Sequence, residues 1–205
     1  MNIKFRLLGT GSSMGVPRTD GFFGNCDPKI KKNYRTRCSA LISFDKSNIL
    51  IDTSPDLRQQ LLQAKIKTIN GVLYSHYHAD QTHGINDLRI FSLNSGIKIP
   101  VYCDEMTSSY LKNNFSYCFK KNNDYDPILK LYKLKKKFKI RMSKKFLKVL
   151  SIPVRHGSIN SIAYIIEKKI AYLSDVNEIY LKDMKYFKKL KYLIIDCLRY
   201  KKHPS

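Results

Sequence analysis

Apolar and basic positions alternate at the start of the chain. Ile3, Phe5 and Leu7 are separated by Lys4 and Arg6, which predicts a half-buried strand over 3–8. The strand runs into Gly9-Thr-Gly-Ser-Ser-Met-Gly15, a glycine-rich loop. Residues 16–37 hold turn formers (Pro17, Gly21, Gly24, Asp27-Pro28) among basic side chains and read as a long irregular segment. Strands are predicted over 38–44 and 48–51. Ser54-Pro55-Asp56 then looks like a helix start, with Pro55 near the first turn. Leu57, Leu61, Leu62 and Ile66 supply one apolar helical face.

The pattern continues with a buried strand over 68–74, a short helix over 84–91, a strand over 99–102 and a helix over 106–121. Residues 130–148 are strand-like and very basic, and 149–154 is a strand leading to Arg155-His156-Gly157. A hairpin follows over 161–167 and 170–173, turning at Lys168-Lys169, with Ser174-Asp175 beyond it. A helix over 178–189 and a last strand over 192–195 complete the reading. Strands and helices alternate in both halves, which favours a layered α/β fold in a single domain over 1–205.

Composition sharpens this picture in two ways. The apolar share of 43% suits a globular core and excludes a mainly disordered chain. No apolar run approaches the ~20 residues of a membrane helix, and the first residues lack a signal peptide's apolar stretch, so a cytoplasmic protein with no membrane partner is expected. The formal charge of +22 draws polyanions, although lysine-rich coding bias explains it better than dedicated nucleic-acid binding, and nucleic acid is not favoured as a partner. Cys26, Cys38, Cys103, Cys118 and Cys197 are scattered singly, which speaks against a disulfide framework and a zinc knuckle.

The chemistry concentrates after the strand predicted over 68–74. His76-Tyr-His78-Ala-Asp80-Gln-Thr-His83-Gly84 holds three of the chain's five histidines. His76, His78 and Asp80 alternate, so in extended chain they share a side, and imidazole with carboxylate suits zinc or manganese. Gly9 to Gly15 reads as G-x-G-x-x-x-G, one residue longer than the dinucleotide fingerprint and without a clear helix after it, so a tight turn is the better reading. Arg35, Arg37, Arg58 and Arg89 have the chemistry to meet phosphate, as most surface arginines do without meeting any.

The histidine run resembles the H-x-H-x-D-H signature of the metallo-β-lactamase superfamily. Further stretches are similar to its phosphoribosyl 1,2-cyclic phosphate phosphodiesterase branch, particularly its alphaproteobacterial-type members. They are Leu8 to Pro17, Cys26-Asp-Pro28, Arg35 to Ser39, Leu50 to Arg58, Tyr74 to Arg89, Tyr117-Cys-Phe119, His156-Gly157, Tyr172 to Val176 and Asp196 to Arg199. The resemblance implies an αββα fold and up to two divalent ions, zinc or manganese. It implies His76, His78 and His156 as imidazole ligands of the first ion, Asp175 as the bridging carboxylate, and Asp80 on the second ion, orienting the attacking hydroxide. Asp52 would orient the ligand loop; it equally suits a helix cap.

Two departures stand out. Gln81 occupies the place of the signature's final histidine, and His83, two residues on, is either its substitute or a loop residue. Relatives also continue beyond a motif similar to His203-Pro-Ser205 with a helix, a strand and a last ligand, so about a fifth of the expected domain is missing from this reading. The implied activity is a metal-dependent hydrolase, a phosphodiesterase acting on a small cyclic or simple phosphodiester by metal-activated hydroxide. A ribonuclease of the transfer-RNA 3′ processing type and a non-catalytic remnant or binding protein are the alternatives. Relatives often pair, so a homodimer is among the expectations.

Overall fold

The computed structural model describes residues 2–121 and 125–197 and divides them into two compact units, the boundary falling between Tyr132 and Lys133. Among the described residues, no helix is long and apolar enough to cross a membrane.

The first unit is built on a six-stranded sheet in sequential order: β1 (Lys4–Gly9), β2 (Ser39–Phe44), β3 (Ser47–Ile51), β4 (Gly71–Leu73), β5 (Ile99–Cys103) and β6 (Leu129–Lys133). β1 to β3 pair antiparallel, while β3, β4 and β5 run parallel, joined by helical crossovers. Every residue of β3 and β4 is buried, as expected of parallel strands covered on both faces. The crossovers carry α1 (Leu57–Ala64), α2 (Ala79–Thr82) and α3 (Arg89–Ser95), and α4 (Glu105–Asn114) follows β5. Asp104 caps α4 by accepting from the Thr107 N–H at 2.8 Å.

Three sequence expectations change here. The strand expected from residue 68 begins only at Gly71, because the Asn70 side chain accepts from the Asn48 N–H at 2.8 Å and its own N–H is taken by Asn48 O. The buried face of α1 is Leu57, Gln60 and Leu61, while Leu62 is 62% exposed. Position 60 lies three from Leu57 and shares its face, so an amide with fixed partners took a place that apolar counting had given to Leu62. Finally, the signature residues, read as extended chain, include the helical turn α2.

The second unit is a five-stranded sheet ordered β11-β10-β9-β8-β7. Its strands are β7 (Lys137–Met142), β8 (Lys145–His156), β9 (Ile159–Ile166), β10 (Ile170–Leu173) and β11 (Tyr192–Ile195). The basic stretch after residue 133 resolves into the β7–β8 hairpin, with Ile140, Met142, Leu147 and Val149 inward and Lys139, Arg141 and Lys148 outward. The helix expected over 178–189 is a 3-10 segment, Leu181–Phe187. β11 returns parallel to β10, so Leu173 and Ile195 end level.

Candidate metal centre

Ligand-type side chains of the first unit collect where parallel strands end, the usual place for ligands in such sheets. β3 and β4 are in register at Ile51 and Leu73, so Asp52 leaves one strand beside Tyr74 of the next. Asp52 is fully buried at φ 61°, a left-handed conformation that aspartate tolerates better than most residues. Its backbone N–H donates to Leu73 O at 2.9 Å. The carboxylate accepts from the Ser75 N–H at 2.7 Å and from the Ser75 hydroxyl at 2.8 Å.

These bonds set the state of His76. The Ser75 proton is committed to Asp52, so the Ser75 oxygen faces His76 Nδ1, 3.1 Å away, as an acceptor. Nδ1 therefore carries the ring proton, and Nε2 keeps its lone pair. That Nε2 lies 2.9 Å from Nδ1 of His78, the two rings meeting edge to face. Two nitrogens on one divalent ion at tetrahedral angles would sit ~3.3 Å apart. The fit to a shared cation is therefore close, and it rests on a fully buried imidazole held by a buried carboxylate.

The signature turn is fastened from behind. Thr53 donates its N–H to Gln81 O at 2.7 Å, and its carbonyl accepts from the Gly84 N–H at 2.9 Å. Its hydroxyl reaches Tyr74 OH at 2.7 Å and Thr82 O at 3.1 Å. Burial pushes the Tyr74 phenol well above its ordinary value, so it serves as a neutral hydrogen-bonding group. A Cβ on Gly84 would stand 2.0 Å from Ser54 O, so only glycine permits this approach. Asp80 is half-buried, and the buried Gln81 amide donates to its Oδ2 at 3.2 Å. His83 turns elsewhere: its Nε2 lies 3.0 Å from Tyr110 OH, and its ring stacks on Tyr110 and meets Phe115 edge-on.

In the second unit, His156 is the buried last residue of β8, and half-buried Asp175 lies two positions beyond β10. The loop carrying Asp175 is tied back to the end of β8. The Arg155 N–H donates to Glu178 O at 2.9 Å, the Asn177 N–H to Arg155 O at 2.8 Å, and the Gly157 N–H to the Asn177 side chain. Gly157, at φ 57°, makes the turn. His203 lies outside the described residues.

The sequence profile of the β-lactamase superfamily domain matches residues 47–205. The chain belongs to the β-lactamase superfamily. Among solved structures, a diphosphatase of the PhnP family is 31% identical with a TM-score of 0.85, this chain being covered over 100% and that one over 78%. The superfamily's two-sheet α/β fold is thereby that of this protein. Zn²⁺-bound PqqB from Methylobacterium extorquens shares the fold at 17% identity and a TM-score of 0.69, over 94% of this chain and 72% of that one. An octanoyltransferase of Porphyromonas gingivalis is 34% identical over 202 residues, which is 97% of this chain and 40% of that protein. The chain thus spans less than half the length of that curated relative.

Against the superfamily signature, the residue that sequence reasoning missed is Ser75. It sits between the two strand-end residues that it links, and serine before a histidine carries no spacing signal. Thr53 was missed because its role lies in partners 21 to 31 positions away.

Proposed function

We propose that the protein is a metal-dependent phosphohydrolase that cuts a small cyclic or simple phosphodiester or a diphosphate. The supporting observation is the pairing of His76 Nε2 with His78 Nδ1, polarised through Ser75 by Asp52. In this reading His76, His78 and His156 supply imidazoles, Asp175 a bridging carboxylate and Asp80 a carboxylate to a second ion, zinc or manganese. A divalent ion held by these residues would lower the pKa of a bound water toward neutrality and would offset charge on the phosphoryl oxygens.

The protein's own groups prepare this chemistry. Asp52 and Ser75 hold the proton on Nδ1 of His76, which keeps the other nitrogen basic. The Gln81 amide donates to Asp80 Oδ2 and so restrains that carboxylate. Gln81 offers an amide oxygen where the signature has an imidazole nitrogen, a poorer donor to zinc, so affinity for a second ion would be weaker here than with a histidine. The substrate class is supported by the likeness to a PhnP-family diphosphatase at 31% identity.

The test uses the full chain dialysed against zinc or manganese. At least one tightly held ion per chain and hydrolysis of a small cyclic phosphodiester or a diphosphate are expected, with turnover lost in His78→Ala and in Asp175→Asn. Retention of no metal, or turnover unchanged in both variants, overturns the reading.

A further inference from the structure

A second feature of the first unit lies outside the histidine turn. A groove of about 600 Å³ opens between the glycine-rich loop and the segment that precedes β2. Glycine makes it. A Cβ on Gly9 would stand 2.0 Å from Arg37 O, and one on Gly11 would stand 2.7 Å from Arg35 O. The two backbones run against each other, with Gly11 N–H to Thr36 O at 2.7 Å and reciprocal bonds between Val16 and Arg35 at 2.8 and 3.0 Å. This fixes Arg35 and Arg37 two residues apart on extended chain, hence toward one side.

The groove's lining is strongly unbalanced. It carries Lys31, Lys32, Arg35 and Arg37 but a single carboxylate, Asp56. Arg37 consumes that carboxylate, by its N–H at 2.8 Å and its guanidinium at 3.3 Å. Arg35 is steadied by a neutral group, Thr10 Oγ1 at 3.0 Å. Among the described residues no carboxylate pairs with Arg35, Lys31 or Lys32. Three unneutralised cations along one cavity ask for more than one negative charge. Tyr34 also lines the groove, 56% exposed, its ring set by an edge-to-face contact with Phe23 at 5.0 Å. An aromatic side chain so placed offers stacking area to a planar ring.

We infer that this groove binds a di- or triphosphate carried on a planar ring, that is, a nucleoside polyphosphate. The volume falls within the ~300–1,000 Å³ of small-ligand sites. A track for single-stranded nucleic acid needs successive aromatic platforms over several nucleotides, and this groove is lined by one aromatic side chain. The assignment does not depend on the metal centre.

Calorimetric titration of the full chain with ADP in EDTA, which keeps divalent ions off the imidazoles, tests it. Saturable binding is expected, weakening with added salt. Lys31 and Lys32 are exposed on a single 3-10 turn, so Lys31→Glu with Lys32→Glu leaves the fold intact and should weaken ADP at least tenfold. Tyr34→Ala should weaken ADP more than pyrophosphate, while His78→Ala should leave both unchanged. No binding at millimolar ADP, equal binding by the lysine variant, or oligoadenylate binding more than tenfold tighter than ADP overturns the assignment.

Discussion

Asp52 grips Ser75 twice, through the Ser75 backbone N–H at 2.7 Å and the hydroxyl at 2.8 Å. Replacing the carboxylate by an amide keeps the size and the tolerance for left-handed backbone but removes one of the two acceptors. Asp52→Asn should therefore lower zinc affinity about 10- to 100-fold, the usual cost of losing the group that orients a ligand histidine. Competition against a chelator of known affinity measures it. Unchanged affinity would mean that the Asp52–Ser75–His76 chain does not serve metal binding.

Gln81→His restores the superfamily signature at a buried position beside Asp80. Bound metal per chain should rise, and phosphodiester turnover should rise with it. Elemental analysis after gel filtration reads the first quantity. A ratio that stays the same would place position 81 outside the second ion's reach.

Gly84→Ala should be among the most damaging small substitutions in the first unit. The added methyl meets Ser54 O at 2.0 Å and the Leu57 Cβ at 2.9 Å, both in fixed structure. Strain of this kind costs several kcal/mol, on the order of 3. Thermal unfolding should shift down by many degrees, and metal binding should fall with it because the Thr53–Gly84 bond holds the signature turn.

On α1, Leu57→Ala and Leu62→Ala should separate cleanly. Leu57 is fully buried and Leu62 is 62% exposed. Truncation of a buried leucine costs ~2–5 kcal/mol, while a surface change stays within about 0.5. Urea melts of both variants check this, and equal losses would contradict the helix face described above.

The thiols divide by environment. Burial pushes the Cys103 thiol up to about 12 and the Cys118 thiol up to about 11. Raised values keep both protonated until the pH approaches those figures, so neither offers thiolate at pH 8. Cys26 and Cys197 are exposed and free. A maleimide at pH 8 should label these two in the folded chain, leaving Cys103 and Cys118 until denaturant is added; mass spectrometry of digests reads the pattern.

Much of the fold was legible because its strands are short, apolar and closed by turn residues. β1, β2, β3, β5 and β9 fall within two residues of their expected ends, and β10 and β11 match theirs. What escaped was decided by side chains from distant positions. The Asn48–Asn70 exchange shortened β4, Gln60 displaced Leu62 from the buried face, and the α2 turn formed where alternation had suggested extended chain. The histidines and carboxylates of the signature were readable as candidate ligands from spacing and resemblance. The commitment of His83 to Tyr110 was not, since ring contacts across 27 positions leave no periodic trace.

The short stretch from Asp52 to Asp56 is gripped at both ends: one carboxylate steadies His76 through Ser75, the other holds Arg37 at the rim of the cationic groove. Four peptide links thus tether the two places for which opposite kinds of charge are proposed, a lever that would carry a cation's seat on one arm and an anion's on the other. Reciprocity then applies: by whatever factor an occupant of one arm alters affinity at the other, the reverse effect is the same size.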